Sequence, residues 1–185
     1  MSKAVFMDRD GVIIKEVGYL SNQDEIEFFP NSVAALKRLS CSEYKLVVVT
    51  NQSGVGRGMF TEKTLNVIHD KIRFMLEKEG VELDGIYYCP HHPDDGCPCR
   101  KPGTALLEKA MKELDISSKG SYFIGDATSD IECGRKIGLT TILVETGYAG
   151  RDGRYSVQPD FVASDLLAAA EIILGEKQKQ GQDAQ

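Results

Sequence analysis

Two aspartates one residue apart, Asp8 and Asp10, follow a short apolar run, Ala4-Val5-Phe6-Met7, that reads as a buried strand. They sit where the strand ends and the chain turns at Gly11. Along an extended chain the side chains at i and i+2 point to the same side, so both carboxylates can face one small volume. Two anions that close repel unless a cation or a shared proton relieves them. A hard divalent cation such as Mg²⁺, which prefers oxygen ligands, would do so. Such a pair can also divide labour, one carboxylate acting as nucleophile and the other as general acid and base. A strand-end turn with two solvated aspartates is the plainer alternative, and the rest of the chain weighs against it.

A second cluster, Cys89-Pro90-His91-His92-Pro93-Asp94-Asp95-Gly96-Cys97-Pro98-Cys99, offers three thiolates and one imidazole at C-x-H-x5-C-x-C spacing. Cys₃His is the donor set of a closed structural zinc site. A loop this short has little apolar content, so zinc would supply its folding energy. Cys89, His91, Cys97 and Cys99 are the expected ligands, with His92 a loop residue. Four protein ligands leave no open position for catalysis. The alternative is a loop of reduced thiols. Cys41 and Cys133 lie outside the cluster and read as small packing residues.

Directly after the cluster come Arg100 and Lys101, a bidentate fork and an ammonium suited to a phosphate. Thr50 and Asn51 add a hydroxyl and an amide, and Gly125-Asp126 with Asp130 adds further carboxylates.

These groups need elements to carry them. Apolar runs predict strands at 4–7, 46–49, 86–88, 121–124 and 141–144, with a last short one at 161–162. Between them, 3-to-4 spacings predict helices starting near Pro30 to Ser32, from Thr61 to near Gly80, over 104–114, 131–137 and 166–174. Thr61 is the expected N-cap of the second helix. His69 lies in that helix beside Ile68 and reads as an ordinary helix-surface or core-edge histidine. Residues 11 to 29 read as an irregular flap, Thr50 to Gly54 as a loop, and Gly147 to Gly153 as a Gly-rich loop. Alternating strands and helices predict an α/β fold, a Rossmann-like parallel sheet covered on both faces. Ligands then bind outside the carboxyl ends of the strands, where Asp8, Asp10, Thr50, Asn51 and Asp126 can converge.

With 185 residues the chain suits one domain, expected over 1–175 with the zinc loop at 89–99 and a polar, disordered tail at 176–185. A net charge of −6 without a basic block predicts no nucleic-acid partner. No apolar run approaches the roughly 20 residues of a membrane helix, so no membrane partner is expected. The N-terminus enters a strand at once without a signal peptide, which predicts a cytoplasmic location. A monomer is the simplest expectation.

The ordered set Asp8-x-Asp10-Gly11, Thr50-Asn51, Lys101-Pro102 and Gly125-Asp126-x₃-Asp130 resembles the four motifs of the haloacid dehalogenase-like phosphatases. Gly18-Tyr19, Arg57-Gly58-x-Phe60 and the run Leu83 to Pro93 with Cys97-x-Cys99-Arg100-Lys101 are similar to the heptose-bisphosphate phosphatases of the histidinol-phosphatase-like subfamily. Between Thr50 and Lys101 lie one helix, one strand and the cysteine cluster, with no room for a separate cap domain, so a capless fold is expected. The resemblance implies Mg²⁺-dependent removal of the C7 phosphate from D-glycero-D-manno-heptose 1,7-bisphosphate, in ADP- or GDP-heptose biosynthesis for lipopolysaccharide or another glycan. Asp8 would be the nucleophile, Asp10 the acid and base, and Thr50 and Lys101 the stabilisers of the phosphoryl oxygens. Mg²⁺ would be held by the Asp8 carboxylate, the Asp10 backbone carbonyl and the Asp126 carboxylate. Arg9, Glu16, Val17, Gly18, Tyr19, Asn51, Gln52, Ser53, Arg57 and Arg100 would join Asp8, Asp10, Thr50 and Lys101 in contacting the substrate. Histidinol phosphate is the alternative substrate. A catalytically idle, zinc-shaped scaffold is the reading from another class.

Overall fold

The computed structural model describes the backbone of residues 1–182 and the side chains of residues 1–175. Six strands form one sheet: β1 (Lys3–Met7), β2 (Tyr44–Asn51), β3 (Gly85–Cys89), β4 (Tyr122–Gly125), β5 (Thr140–Val144) and β6 (Phe161–Ala163). Their spatial order is β3-β2-β1-β4-β5-β6, and every pairing is parallel. The helices are α1 (Ser32–Ser40), α2 (Ser53–Gly56), α3 (Glu62–Lys78), α4 (Ala105–Glu113), α5 (Thr128–Lys136) and α6 (Leu166–Gln182). The expected tail, 176–185, falls outside the described side chains and, from 183, outside the described residues.

The strands are apolar on both sides because both faces are covered. In β1, Val5 and Met7 join a core with Leu36 and Leu39 of α1, Ile68 and Ile72 of α3, and Ala169, Ala170 and Ile173 of α6. The alternate residues Ala4 and Phe6 point to the other face, against Leu106, Leu107 and Ala110 of α4 and Cys133 of α5. This is the α/β architecture expected from the alternation of elements.

The backbone of α6 runs past its expected end at 174 to Gln182, into the expected tail, and two further differences have physical reasons. Helix α5 starts at Thr128, three residues before the apolar periodicity begins, because the Asp130 carboxylate accepts the Ala127 N–H at 3.1 Å and caps the turn. Helix α2 is a single turn with Gly at two of four positions, too short and too polar to leave a periodic trace. Thr61 does cap α3, accepting the Thr64 N–H at 3.1 Å.

The strand order reverses between β1 and β4, so the crevice of the sheet opens there. Met7 lies opposite Val48 on one side and Ile124 on the other, which brings the ends of β1, β2 and β4 level. Between β2 and Lys101 the chain holds only α2, α3, β3 and the cysteine loop, so no cap domain is inserted there.

The cysteine loop also supports α2. The Gly56 N–H donates to the Pro90 carbonyl at 2.8 Å, and a Cβ at Gly56 would lie 2.3 Å from the His92 backbone nitrogen. Gly56→Ala is therefore expected to push α2 off the loop at a cost of about 1–3 kcal/mol. A thermal melt and a zinc assay check this; an unchanged melting temperature would contradict the close packing.

Candidate active site

The carboxyl ends of β1, β2 and β4 border a cleft of about 720 Å³. Asp8 and Asp10 enter it from β1, Thr50 and Asn51 from β2, and Asp126 from β4. Lys101 reaches it from the segment after the cysteine loop and is 4% exposed. Its backbone is clamped by Asn51, whose Oδ1 accepts the Lys101 N–H at 3.0 Å and whose Nδ2 donates to the Lys101 carbonyl at 3.3 Å. The ammonium donates to the Val49 carbonyl at 2.9 Å and pairs with Asp8 and Asp130, each at 2.8 Å. Burial works against this charge, but the Asp130 and Asp8 carboxylates more than offset it and hold Lys101 above its ordinary value.

Carboxylate oxygens of Asp8, Asp126 and Asp130 lie within 4.8 Å of one another. Room for Asp126 depends on two glycines. A Cβ on Gly11, at φ +79°, would meet its Oδ2 at 2.2 Å, and one on Gly147 at 2.1 Å. The Tyr148 N–H donates to the same oxygen at 2.7 Å. Burial, with the Asp8 and Asp130 charges, pushes Asp126 up to about 8. Burial also raises Asp8 to about 6; Lys101 pulls it down while Asp130 and Asp10 push it up. Three crowded carboxylates facing one ammonium form an oxygen donor set that fits a hard divalent cation such as Mg²⁺.

Asp10 is held differently. The Arg9 guanidinium lies side-on to its carboxylate, with contacts from 2.8 to 3.2 Å, and Gln52 Nε2 donates to its Oδ2 at 2.8 Å. Gln52 Nε2 also lies 2.9 Å from Thr50 Oγ1. Arg9 is 1% exposed and does not line the cleft, so its expected contact with substrate is not supported. Residue 9 lies in a bend just beyond β1, and its long side chain runs between the Asp10 carboxylate and His69 of α3. Gln52, 6% exposed, also points to Asp10 and lies off the cleft lining, as does the exposed Val17.

The other expected contacts, Glu16, Gly18, Tyr19, Ser53, Arg57 and Arg100, do border the cleft. Arg100 Nη1 is buried without a hydrogen-bond partner among the described residues. Among the cleft residues not anticipated are Tyr148, Asp152, Arg154 and Tyr155, from the loop between β5 and β6. Asp152 ties that loop down by accepting the Thr128 N–H and hydroxyl, both at 2.8 Å. The available signal was its position after a strand's carboxyl end.

The ligand atoms of Cys89, His91, Cys97 and Cys99 also lie within 4.8 Å of one another. Sulfur atoms of Cys89 and Cys99 each sit 3.4 Å from that of Cys97, and His91 Nδ1 lies 3.5 and 3.2 Å from Cys89 and Cys99. Tetrahedral Zn–S bonds of about 2.3 Å would set sulfurs about 3.8 Å apart. The donors fit such an ion with an adjustment of a few tenths of an ångström. His92 instead caps the Pro93–Asp95 turn, accepting the Asp94 N–H at 3.3 Å.

The carboxylate crowding has a pH signature. A carboxyl raised above its ordinary 3.8 favours the folded state while protonated. That contribution is lost as pH rises through about 6 for Asp8 and about 8 for Asp126. Mg²⁺-free protein is thus expected to lose melting temperature between about pH 5 and about pH 9, and added Mg²⁺ to restore more of it at the higher pH. Thermal melts across that range check this; equal Mg²⁺ stabilisation at both ends would contradict it.

Comparison with known proteins agrees with this geometry. Residues 98–169 match the HAD-hydrolase-like family model. The D-glycero-beta-D-manno-heptose-1,7-bisphosphate 7-phosphatase of Pasteurella multocida is 38% identical over 96% of this chain and 100% of its own. The corresponding alpha-heptose enzyme of Photorhabdus laumondii is also 38% identical, over 79% of this chain and 84% of its own. The crystal structure of D,D-heptose 1,7-bisphosphate phosphatase from B. bronchiseptica, complexed with magnesium and phosphate, superposes with a TM-score of 0.87 at 36% identity. It covers 94% of this chain and 99% of that one. With this identity sustained over nearly the whole sequence, the chain belongs to the heptose-1,7-bisphosphate phosphatase family of the haloacid dehalogenase-like hydrolases.

Proposed function

We propose that this chain removes the C7 phosphate from D-glycero-D-manno-heptose 1,7-bisphosphate through an aspartyl-phosphate, on the path to a nucleotide-activated heptose. The observation that carries this reading is the pairing of Asp8 with the buried Lys101 at 2.8 Å, beside an Asp10 held separately by Arg9. Asp8 attacks phosphorus in line, and the bond to the C7 oxygen breaks as Asp10 gives that oxygen a proton. Asp10 then takes a proton from water, which attacks the phosphorus and releases inorganic phosphate with Asp8 restored. Lys101 and the Thr50 hydroxyl neutralise and orient the phosphoryl oxygens. Asp8, Asp126 and the Asp10 carbonyl would hold Mg²⁺, which supplies further charge neutralisation when bound.

An open cleft suits a small bisphosphate. Arg57 and Arg100 line it as cations for the phosphate that does not react, and the partnerless Nη1 of Arg100 is a ready donor. Glu16, Gly18, Tyr19, Asn51 and Ser53 complete the contacts in this reading. Cys89, His91, Cys97 and Cys99 would bind a structural zinc that sets the position of Arg100 and Lys101. The catalytic unit is residues 1–175 acting as a cytoplasmic monomer, without nucleic acid or membrane partner.

Phosphate release with and without Mg²⁺, on the α and β anomers of the heptose bisphosphate and on histidinol phosphate, tests the reading. Turnover is expected on a heptose anomer and only with Mg²⁺; turnover confined to histidinol phosphate would overturn the substrate. Asp8→Asn is expected to lower kcat by about four orders of magnitude or more. Its melting temperature should hold or rise, since one anion leaves a crowded cluster. An active Asp8→Asn enzyme would remove Asp8 as nucleophile. Cys97→Ser is expected to lose zinc and melting temperature with a smaller loss of kcat, read by metal analysis and thermal melts; unchanged zinc content would refute the metal clip.

A further inference from the structure

His69 sits on the buried face of α3, 5% exposed, between Ile68 and Ile72 of the core, and it does not line the cleft. Its Nε2 lies 3.1 Å from Nη1 of Arg9. A guanidinium can only donate, so Nε2 must be the acceptor and the ring must be neutral with its proton on Nδ1. Burial, then the charges of Arg9 and Arg73, push the imidazole down to about 3 and keep it neutral at working pH. The ring also packs on Tyr88 of β3, with centroids 5.3 Å apart. Tyr88 is fixed in turn, its hydroxyl donating to Glu62 at 2.9 Å.

Arg9 has no route to solvent, and Nη1 points away from Asp10 toward α3. Without an acceptor there, a buried donor is left unsatisfied, and the guanidinium gains by turning toward another acceptor. The plane of the guanidinium sets the plane of the Asp10 carboxylate, because the contact is side-on through Nε and Nη2. A proton donor misplaced by a fraction of an ångström loses much of its effect.

We propose that His69 is a positioning residue for the reaction: as a neutral acceptor it fixes Arg9, and Arg9 holds the Asp10 carboxylate in the orientation for proton transfer. This rests on the role given above to Asp10. It turns a histidine with no contact to substrate or metal into a determinant of the chemical step.

The test compares His69→Leu, which removes the acceptor, with His69→Gln, which can restore one. Both are assayed on the heptose bisphosphate and on p-nitrophenyl phosphate, whose leaving group needs no proton. For His69→Leu, kcat on the sugar phosphate should fall about 10- to 100-fold, with KM within about 2-fold, since general acid–base help contributes at least this much. On p-nitrophenyl phosphate the same variant should show a burst of about one equivalent of nitrophenolate and then slow turnover, because hydrolysis of the aspartyl-phosphate still needs Asp10 as base. His69→Gln should recover kcat to within about 3-fold of the natural enzyme. A His69→Leu enzyme with unchanged kcat would overturn the proposal, as would equal losses in the Leu and Gln variants with native melting curves. Should His69→Leu not fold, His69→Ala takes its place in the comparison with His69→Gln: a tenfold or greater loss in Ala that Gln recovers supports the proposal, and equal kcat in the two natively melting variants defeats it. If the natural enzyme hydrolyses p-nitrophenyl phosphate but neither heptose anomer, the substrate reading fails while the burst comparison still decides the role of His69.

Discussion

The ion cluster around Lys101 is the constraint on which the site depends. One buried ammonium faces the carboxylates of Asp8 and Asp130, with Asp126 beside them. Buried ion pairs seldom add much to stability, because desolvation takes back most of what attraction gives. Here the balance is worse, since three carboxylates share one cation and two of them, Asp8 and Asp126, are pushed well above the ordinary range. Such a cluster is a stored deficit of positive charge. A divalent cation would relieve it, and in the proposed reaction an arriving phosphate would find the charges already placed, with no reorganisation left to pay for.

Keeping that ammonium in place explains much of the surrounding chain. Lys101 belongs to no helix or strand, so the sheet alone cannot fix it. Two supports do: the Asn51 side chain grips its backbone from the end of β2, and the cysteine loop precedes it at two residues' distance. The same loop carries α2 through the Gly56 to Pro90 hydrogen bond. One small metal-sized cluster thus positions residues on both sides of the cleft, in a segment with too little apolar surface to build a core of its own.

How much of this the sequence reveals depends on the kind of signal. Asp8, Asp10 and the cysteine cluster stand out because spacing alone gives them a shared volume or a complete ligand set, whereas Asp126 is legible from its place at a strand's carboxyl end. The strands stand out because a sheet covered on both faces must be apolar throughout. Arg9 sits inside the motif and so reads as a substrate contact, but its side chain turns into the core, off the cleft lining, which the motif does not encode. His69 carries a faint signal, a polar residue in register with Ile68, Ile72 and Leu76 on the inward face, but nothing in the sequence says that its partner is sixty residues away. The loop between β5 and β6 gives only its place after a strand's carboxyl end: which of its residues reach the cleft depends on tertiary contacts such as Asp152 to Thr128 and Tyr148 to Asp126, which no local pattern encodes.

In the proposed reaction, the division of labour between Asp8 and Asp10 follows from their partners. Both side chains are equally open, 14% exposed, and both take part in charge pairs near 2.8 Å. Asp8 faces Lys101, which also lines the cleft, and in that reaction its ammonium would pass from carboxylate to phosphoryl oxygen as the bond forms. Asp10 faces Arg9, which is sealed in the core, off the cleft, and held there by His69. A nucleophile must be released from its partner at the moment of attack, whereas a proton donor that returns as a base must stay in one orientation through two steps. A cation shared with the cleft meets the first need and a cation buried behind the strand meets the second. That asymmetry requires an arginine between the aspartates and an acceptor on α3 to hold it.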